Sequence, residues 1–245
     1  MSNIKIFNND CLKQMKEFKD KSIDCIITDI PYFQVVKDDW DNQWENSEEY
    51  LNFIHDCIKE FNRILKDDAS LIMFTGRQYN RHIALLLDKY FEEKRIIIWS
   101  RKRAFNNTRG KALASGYEPI CYYTKGNPVF NNLKIKSENN RKEYTSGTLK
   151  DGVSLSDVWS DIPALPHNSK EKVNHSSQKP IKLMERCVML CTNEKDIVLD
   201  PFMGSGSTGI ACKNLNRNFI GIEANTDHFN LSKTRLFESE ENING

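Results

Sequence analysis

An acidic residue and two aromatic rings stand directly after an apolar run of strand length. The run covers residues 23–27, and the segment that follows it, TDIPYF, covers residues 28–33. A carboxylate such as that of Asp29 accepts hydrogen bonds from N–H groups, and the ring of Tyr32 offers a flat face for stacking. The segment is therefore a candidate reaction site, with a strand end followed by a packed proline turn as the alternative.

A glycine-rich segment supplies a second candidate site. IVLDPFMGSGSTGIA, residues 197–211, carries Gly204, Gly206 and Gly209 in the spacing G-x-G-x-x-G. It lies between a predicted strand and an apolar helix, and Glu223 ends the next predicted strand about 20 residues further on. Such glycines let the backbone approach a ligand, and a carboxylate can accept hydrogen bonds from ribose hydroxyls. The segment predicts a site for an adenosine-containing cofactor, or else a purely structural turn.

Strands and helices must alternate to position these two segments. Apolar runs of strand length alternate with stretches of helical period, which is typical of a mostly parallel sheet covered by helices. We predict strands at residues 4–7, 23–28, 70–75, 95–99, 119–124, 197–199 and 219–222. One predicted helix begins with Ser47 as its cap, and another begins at Pro180. Residues 126–174 are polar with little periodicity, which indicates an inserted region rather than core.

Composition limits the class of protein. The chain has 245 residues, of which 39% are apolar and 28% charged, and its net charge is +1. These values are ordinary for a globular α/β domain, and no apolar stretch approaches membrane-spanning length. Seven cysteines without a CxxC pair argue against a disulfide framework or a structural zinc site. We expect a cytoplasmic protein that binds no metal and does not associate with a membrane.

The positive charge is local. Seven basic residues and no acidic one lie between positions 94 and 111, with Trp99 and Phe105 among them. This basic stretch is either a candidate nucleic-acid contact or a solvated surface.

Three motifs together resemble a known family. TDIPYF, HSSQKP (residues 175–180) and LDPFMGSGS (residues 199–207) are similar to the catalytic, lysine and cofactor motifs of S-adenosylmethionine-dependent DNA amino-methyltransferases. Their order along the chain is similar to that of the permuted β class, most like the small adenine-N6 members of bacterial restriction-modification systems. The pattern departs at Ile30, where the family usually has proline.

The resemblance implies a fold and a division of the chain. The fold would be a Rossmann-like class I methyltransferase fold with a mostly parallel seven-stranded sheet, helices on both faces and circularly permuted motif order. Residues 1–125 would form the catalytic half, residues 126–174 an inserted target-recognition region, and residues 175–245 the cofactor-binding half.

The resemblance also implies a reaction. The carboxylate of Asp29 and the carbonyl of Ile30 would accept hydrogen bonds from the N6 amine of an adenine that has been flipped out of duplex DNA. Pro31 biases Ile30 toward an extended conformation, and Tyr32 would stack on the base. The predicted catalytic residues are thus Asp29, Ile30, Pro31 and Tyr32.

Further site residues follow from the motif positions. The predicted residues for binding S-adenosylmethionine are Asp10, Asp29, Lys179, Asp200, Pro201, Phe202, Gly204, Gly206, Ser207 and Glu223. Lys179 would lie near the carboxylate end of the cofactor, or else be a surface lysine. The predicted DNA-binding residues are Arg101, Lys102, Arg103, Arg109 and Lys111.

The expected partners are double-stranded DNA, a cognate restriction endonuclease and a second copy of the chain in a homodimer. Three alternatives to an adenine-N6 enzyme stay open: a cytosine-N4 enzyme, a nicotinamide-dependent oxidoreductase and a non-catalytic, methyltransferase-like DNA-binding subunit. The glycine motif alone is compatible with the oxidoreductase, but that reading leaves TDIPYF and HSSQKP unexplained.

Overall fold

Eight strands form the central sheet in the part of the chain that the computed structural model describes. That part comprises residues 2–33, 43–105, 113–135, 153–166, 168–175 and 177–237, with the backbone alone for residues 103–105. In chain order the strands are β1 (Ile4–Asn8), β2 (Ile23–Asp29), β3 (Leu65–Phe74), β4 (Glu92–Phe105), β5 (Ser115–Lys125), β6 (Lys134–Ile135), β7 (Val153–Ser154), β8 (Val158–Trp159), β9 (Ile197–Asp200) and β10 (Asn218–Glu223). Strands β6 and β7 form a separate two-stranded sheet, and the other eight form the central sheet. The sheet has the order β1-β10-β9-β2-β3-β5-β4-β8.

The sheet is mostly parallel, as the sequence predicts. Only β5 runs antiparallel to its neighbours β3 and β4 among the paired strands of the described sheet. All seven predicted strands are present, but the expected count of seven is wrong by one. The additional strand, β8, has two residues and lies parallel to β4 at the edge of the sheet. A two-residue strand has no periodicity that a sequence pattern could reveal.

Helices cover both faces of the sheet, which confirms that prediction. They are α1 (Cys11–Lys16), α2 (Ser47–Ile64), α3 (Asn80–Leu87), α4 (Ile181–Cys191), α5 (Ser207–Asn214) and α6 (Thr226–Phe237). Strand β2 shows why both faces are apolar: Ile26 belongs to the core under α1, α2 and α3, whereas Cys25 and Ile27 belong to the core under α4, α5 and α6. Successive side chains of a strand point to opposite faces, so a strand buried on both sides reads as a continuous apolar run.

The start of α2 differs from the prediction by one residue. Asn46, not Ser47, is the N-cap, and its side-chain oxygen accepts hydrogen bonds from the backbone N–H groups of Glu48 and Glu49, each at 3.0 Å. Both residue types are good caps, so the sequence alone does not choose between them. Pro180 directly precedes α4, as expected.

Part of the predicted inserted region belongs to the main fold. Trp159 and Ile162 are buried in the same core as α4, and the indole of Trp99 donates to the carbonyl of Ile162 at 2.7 Å. The expectation that residues 126–174 lie outside the core is therefore wrong for this part. The division of the chain into three regions otherwise stays a prediction.

The topology places four acidic residues at one edge of the sheet. Asp29, Asp200 and Glu223 are the last residues of the parallel neighbours β2, β9 and β10, and Asp10 follows β1 by two residues. Carboxyl ends of parallel strands meet at the same edge, which is the usual ligand site of open α/β sheets. In the described ranges no helix is long and apolar enough to cross a bilayer.

The packing of α5 on β10 gives a first testable expectation. A Cβ at Gly209 would lie 2.7 Å from Cε1 of Phe219 and 2.9 Å from Cδ2 of Leu236. Gly209→Ala is expected to reduce the free energy of unfolding by about 1–3 kcal/mol, because the crowded core must shift. Urea unfolding measures the change.

Gly116→Ala is the matched control, since no heavy atom lies within 4 Å of a Cβ built there. Its stability should stay within about 0.5 kcal/mol of the parent. Equal effects of the two substitutions would contradict close packing at Gly209.

Candidate active site

A cavity of about 400 Å³ opens at the edge of the sheet where the acidic residues meet. Its lining brings together the predicted catalytic and cofactor-binding residues, namely Asp10, Asp29, Ile30, Pro31, Tyr32, Lys179, Asp200, Pro201, Phe202, Gly204, Ser207 and Glu223. Gly206 is the exception and lies behind the cavity wall, at the start of α5. The segment around Asp29 and the glycine-rich segment are far apart in sequence, yet both line this cavity.

Four polar side chains form a connected cluster: Asp29, Tyr32 and Lys179 line the cavity, and Glu118 contacts Tyr32 and Lys179 from outside its lining. The hydroxyl of Tyr32 lies 2.6 Å from Oδ1 of Asp29 and 2.5 Å from Oε1 of Glu118. The ammonium of Lys179 lies 2.5 Å from Oδ2 of Asp29, 3.0 Å from Oε1 of Glu118 and 3.3 Å from the Tyr32 hydroxyl. We call Asp29, Tyr32, Glu118 and Lys179 the acid–tyrosine–lysine cluster.

Burial controls the electrostatics of this cluster. The side chains of Asp29, Glu118 and Lys179 are only 20%, 11% and 8% exposed. Burial raises the pKa of Asp29 to about 6, with a further rise from Glu118, although Lys179 opposes it. Burial would lower the pKa of Lys179, but its two carboxylate partners outweigh burial and raise it. Lys179 is therefore a cation, and Asp29 exchanges its proton near neutral pH.

The segment that carries Asp29 is held on both sides. The N–H of Ile30 donates to the carbonyl of Phe74 at 3.3 Å, and the Tyr50 hydroxyl donates to the carbonyl of Pro31 at 3.1 Å. The Tyr32 ring packs against Gly76, where an added Cβ would lie 3.2 Å from the ring. These contacts fix the backbone around Asp29 and leave little room behind the Tyr32 ring.

Phe33 turns away from the cavity. Its ring stacks on that of Tyr50, with centroids 5.7 Å apart, and it is buried in the core.

The glycine turn lies opposite the cluster. Gly204 has φ +47° and Gly206 has φ +78°, in the left-handed region that favours glycine. A Cβ at Gly204 would lie 2.8 Å from Nε2 of His175, so the turn has no space for a side chain there. The Gly204 N–H donates to Oε2 of Glu223 at 2.9 Å. The turn therefore presents backbone rather than side chain at this point of the cavity.

The remaining acids differ in their surroundings. Asp200 is buried and accepts hydrogen bonds from the hydroxyls of Thr28 at 2.8 Å and Thr208 at 2.6 Å. Burial raises its pKa to about 7. Asp10 caps α1 through a hydrogen bond from the N–H of Lys13 at 2.9 Å. Both acids are thus used by the fold, and Asp10 keeps its second carboxylate oxygen for another partner.

Lys179 lines the cavity and lies among acids. It pairs with Asp29 and Glu118 in the acid–tyrosine–lysine cluster, and it is not a surface lysine. Contact with a cofactor carboxylate stays a prediction for this residue.

The basic stretch is described only in part. Nη2 of Arg101 donates to the carbonyl of Ser115 at 3.0 Å and to its Oγ at 2.7 Å. Lys102 is exposed. The side chain of Arg103 and the whole of Arg109 and Lys111 lie outside the described residues. The role of the basic stretch in DNA binding stays a prediction. If Arg101 binds DNA, it either releases Ser115 or keeps this contact beside the DNA.

Sequence reasoning missed Glu118 and the pair His175 and His228. Glu118 stands one residue before the predicted start of β5, so it was placed outside the strand that carries it to Tyr32. The rings of His175 and His228 lie 4.6 Å apart beside the glycine turn. Burial, reinforced by His228, lowers the pKa of His175 to about 3, so it is neutral. His175 begins the HSSQKP motif, so the sequence could have indicated it as a site residue. His228 lies in α6, and the sequence around it does not indicate a site.

Residue types that bind metal ions do not cluster in the described ranges. Within them, no group of three or more histidine, cysteine, aspartate or glutamate side chains could hold a metal ion.

The chain is similar to known proteins over nearly its whole length. A family model described as DNA methylase matches residues 23–234. The Type II methyltransferase M.HpaI of Haemophilus parainfluenzae is 32% identical over 232 residues, which cover 93% of this chain and 72% of that protein. The DNA adenine methyltransferase YhdJ of Escherichia coli (strain K12) is 29% identical over 244 residues, covering 94% of this chain and 82% of YhdJ.

A solved structure is similar as well. The crystal structure of the M1.HpyAVI–SAM complex superposes with a TM-score of 0.66 at 28% identity, and the match covers 95% of this chain and 100% of that chain.

Proposed function

The chain belongs to the DNA methylase family, and we propose that it transfers a methyl group from S-adenosylmethionine to the N6 amine of an adenine in duplex DNA. The fold is the expected Rossmann-like class I methyltransferase fold. The observation that carries the proposal is the position of Asp29 and Tyr32 in the same cavity as the glycine turn and Glu223. A base and a methyl donor would meet in this cavity.

The residues at the glycine turn fit S-adenosylmethionine. Glu223 and Asp10 offer carboxylate oxygens for hydroxyl and amino groups, the ring of Phe202 offers an apolar face, and Gly204 lets the backbone approach. When bound, S-adenosylmethionine supplies an electrophilic methyl carbon, and its sulfur keeps the electron pair of the broken carbon–sulfur bond. The protein therefore needs no metal and no covalent intermediate, and positioning is most of its task.

Asp29 and Ile30 would prepare the amine. The lone pair of an exocyclic amine is delocalised into the ring, so the amine is a weak nucleophile. The carboxylate of Asp29 and the carbonyl of Ile30 accept hydrogen bonds from its two N–H groups, which draws the lone pair out of conjugation and directs it. The adenine must first leave the duplex, because its amine cannot reach this cavity from within the stack. Tyr32 then stacks on the flipped base.

Asp29 first has to exchange partners. Its two oxygens are bound by Tyr32 and Lys179 in the structure. The amine can replace the Tyr32 hydroxyl, which keeps Glu118 as its partner. Glu118 therefore remains a partner for both Tyr32 and Lys179 when the amine binds Asp29.

The choice of adenine over cytosine rests on the acid. Asp29 stands where cytosine-N4 members more often carry serine, and the relative YhdJ is named a DNA adenine methyltransferase. The family model's name covers both N6 and N4 methylation, so a cytosine-N4 enzyme is the second candidate. The intact Asp29, Tyr32 and glycine turn argue against a non-catalytic subunit.

The experiment that tests the function is a product assay. The purified protein, duplex DNA and labelled S-adenosylmethionine are incubated, and the nucleosides are identified by mass analysis. We expect N6-methyladenine. N4-methylcytosine would select the second candidate, and no label in DNA would reject both.

Glu223 gives a prediction for methyl-donor binding. Glu223→Gln keeps the size of the side chain but loses the charge that strengthens hydrogen bonds to ribose hydroxyls. We expect the affinity for S-adenosylmethionine to fall about 10-fold, the lower end of the range for a charged hydrogen bond. Isothermal titration calorimetry measures it.

Glu194→Gln is the control, because Glu194 is an exposed acid outside the cavity that accepts from Asn216 at 2.8 Å. It should bind the methyl donor as the parent does. Equal affinity in both variants would remove Glu223 from the binding site.

The proposed partners follow from the relatives. M.HpaI is named a type II methyltransferase, and for this chain a cognate restriction endonuclease that cuts the same unmethylated site is the corresponding partner. DNA contacts would come from the basic stretch and from residues 126–174, which we propose as the target-recognition region. A homodimer is proposed as the functional form.

A further inference from the structure

The Tyr32 hydroxyl presents a problem of hydrogen counting. A hydroxyl carries one hydrogen, yet the Tyr32 oxygen lies 2.6 Å from a carboxylate oxygen of Asp29 and 2.5 Å from one of Glu118. It cannot donate to both acids at once. It donates to one acid, while the ammonium of Lys179, at 2.5 Å from Asp29 and 3.0 Å from Glu118, holds both carboxylates close to the hydroxyl. The three groups therefore form a chain along which a proton can move.

The reaction produces a proton that needs such a chain. Once the nitrogen–carbon bond has formed, the methylated amine carries a positive charge and must lose one hydrogen. We propose that the Tyr32 hydroxyl passes this proton from Asp29 to Glu118. The inference rests on the proposed function and extends it to a role for Tyr32 beyond stacking and a role for Glu118.

The atoms balance in two steps. The amine nitrogen keeps the electron pair of the broken N–H bond, and the Asp29 carboxylate takes the hydrogen. Once the methylated amine has left Asp29, the contact between Asp29 and Tyr32 forms again, and Asp29 gives its hydrogen to the Tyr32 oxygen while the hydroxyl's own hydrogen moves to Oε1 of Glu118. At the end Asp29 and Tyr32 are as they began, and Glu118 is a neutral acid.

Lys179 stabilises both ends of the transfer. Its ammonium lies 2.5 Å from Asp29 and 3.0 Å from Glu118, so whichever acid remains ionised keeps a cation within hydrogen-bonding distance. The side chain of Glu118 is 11% exposed, which leaves a route by which its proton can pass to water. The Tyr32 hydroxyl itself stays protonated at rest, because burial and both acids raise its pKa well above the ordinary value.

The charged groups around Asp29 set the pH range of the transfer. Lys179 faces it from the segment before α4, Glu118 from β5 and Asp200 from the end of β9, while Tyr32 follows on its own segment. Burial and Glu118 hold the pKa of Asp29 at about 6 against Lys179. Only the ionised carboxylate accepts the proton, so the rate of methyl transfer should fall as the pH drops through this value.

Two substitutions test the relay. Tyr32→Phe keeps the ring and removes the hydroxyl, and Glu118→Gln keeps the shape and removes the proton acceptor. Tyr123→Phe is the matched control, because the Tyr123 hydroxyl also lies between two acids, at 2.9 Å from Asp88 and 3.3 Å from Glu93, outside the cavity. The steady-state rate and the single-turnover rate of labelled methyl transfer are measured from pH 5 to pH 9 on a duplex that the parent protein methylates, and calorimetry verifies that each variant binds S-adenosylmethionine.

The expected result has three parts. In repeated turnover each variant is about 100-fold slower than the parent, a larger loss than in the first turnover, because Asp29 is not relieved of its proton. The double variant is no slower than the slower single one, and Tyr123→Phe matches the parent. In Glu118→Gln the low-pH loss of rate also moves to lower pH, because the substitution removes a negative charge that raises the pKa of Asp29. A purely structural role would slow the first turnover as much as the later ones.

The relay is overturned if either single variant stays within about threefold of the parent rate in repeated turnover, if the first turnover slows as much as the later ones, or if the two effects multiply in the double variant. A failure of the proposed function is distinguishable from these outcomes, since the parent protein would then transfer no label to any duplex.

Discussion

Replacing Asp29 by alanine is expected to reduce methyl transfer to DNA by roughly 1,000-fold, which is the scale of losing a preorganised hydrogen-bonding group at a reacting atom. The carboxylate would be the acceptor that draws the amine lone pair toward the methyl group, and it would also be the first acceptor of the released proton. Alanine leaves Lys179 paired with Glu118 at 3.0 Å, so the cluster keeps a balanced ion pair and the fold should persist.

The affinity for S-adenosylmethionine should change little in Asp29→Ala, because Glu223, Asp10 and the glycine turn are untouched. Single-turnover kinetics with labelled methyl donor measures the loss of rate, and calorimetry measures binding. A variant that loses both together would indicate a collapsed cavity rather than lost chemistry.

Asp24→Asn is the matched control for Asp29. Asp24 lies on the same strand, pairs with Lys66 at 2.5 Å and accepts from the N–H of Ile197 at 2.9 Å, but it stands at the opposite end of β2 from the cavity. Its methyl-transfer rate should stay close to that of the parent. Full activity in Asp29→Ala would remove Asp29 from the mechanism.

Replacing Lys179 by methionine is expected to produce the largest loss of stability. The substitution keeps a long side chain in the buried position but leaves Asp29 and Glu118 together without a cation. Breaking a buried ion pair by removing one partner costs about 3–5 kcal/mol, because the remaining charge is uncompensated. We expect a loss of this size in the free energy of unfolding at pH 8.

The loss should depend on pH with a definite sign. Without Lys179, which lowers the pKa of Asp29, that pKa rises further above its value of about 6. A carboxyl whose folded pKa is raised binds a proton on folding, so its destabilising effect is full above the folded pKa and is relieved as the pH falls. The difference between Lys179→Met and the parent should therefore shrink from pH 8 to pH 5.

Urea unfolding at the two pH values measures this difference. Lys66→Met is the control, because Lys66 also pairs with an aspartate at 2.5 Å but is 44% exposed, and exposed pairs contribute about 0–1 kcal/mol. A loss below 1 kcal/mol for Lys179→Met, or one that is equal at both pH values, would contradict the role of Lys179 in balancing the cluster.

Much of the fold could be predicted because the relevant signals are local. The apolar runs of β2 and β9 and the period of α2 follow from burial on one or both faces, and the structure confirms them. The acids at the strand ends could be predicted as neighbours, since parallel strands place their carboxyl ends together. The two-residue strand β8 could not, because its place depends on long-range pairing with β4.

The cluster around Asp29 shows what the sequence could not reveal. Glu118 reaches Tyr32 because β5 runs antiparallel beside β3, and this pairing brings together residues 86 positions apart. Lys179 reaches Asp29 across 150 positions. The family's motif indicated that Lys179 was functional, but its pairing with two acids follows only from the assembled sheet.

The position of β1 has a consequence for how the protein forms during synthesis. Its only neighbour in the described sheet is β10, the last strand of that sheet along the chain, so β1 leaves the ribosome long before its partner is made. Until β10 is made, β1 has no backbone partner, and a nascent chain would expose an unpaired edge that is open to aggregation. A chain that stops before residue 218 would lack Glu223 and the strand that supports β1 and Asp10. Premature termination should therefore release inactive protein rather than a partly active enzyme.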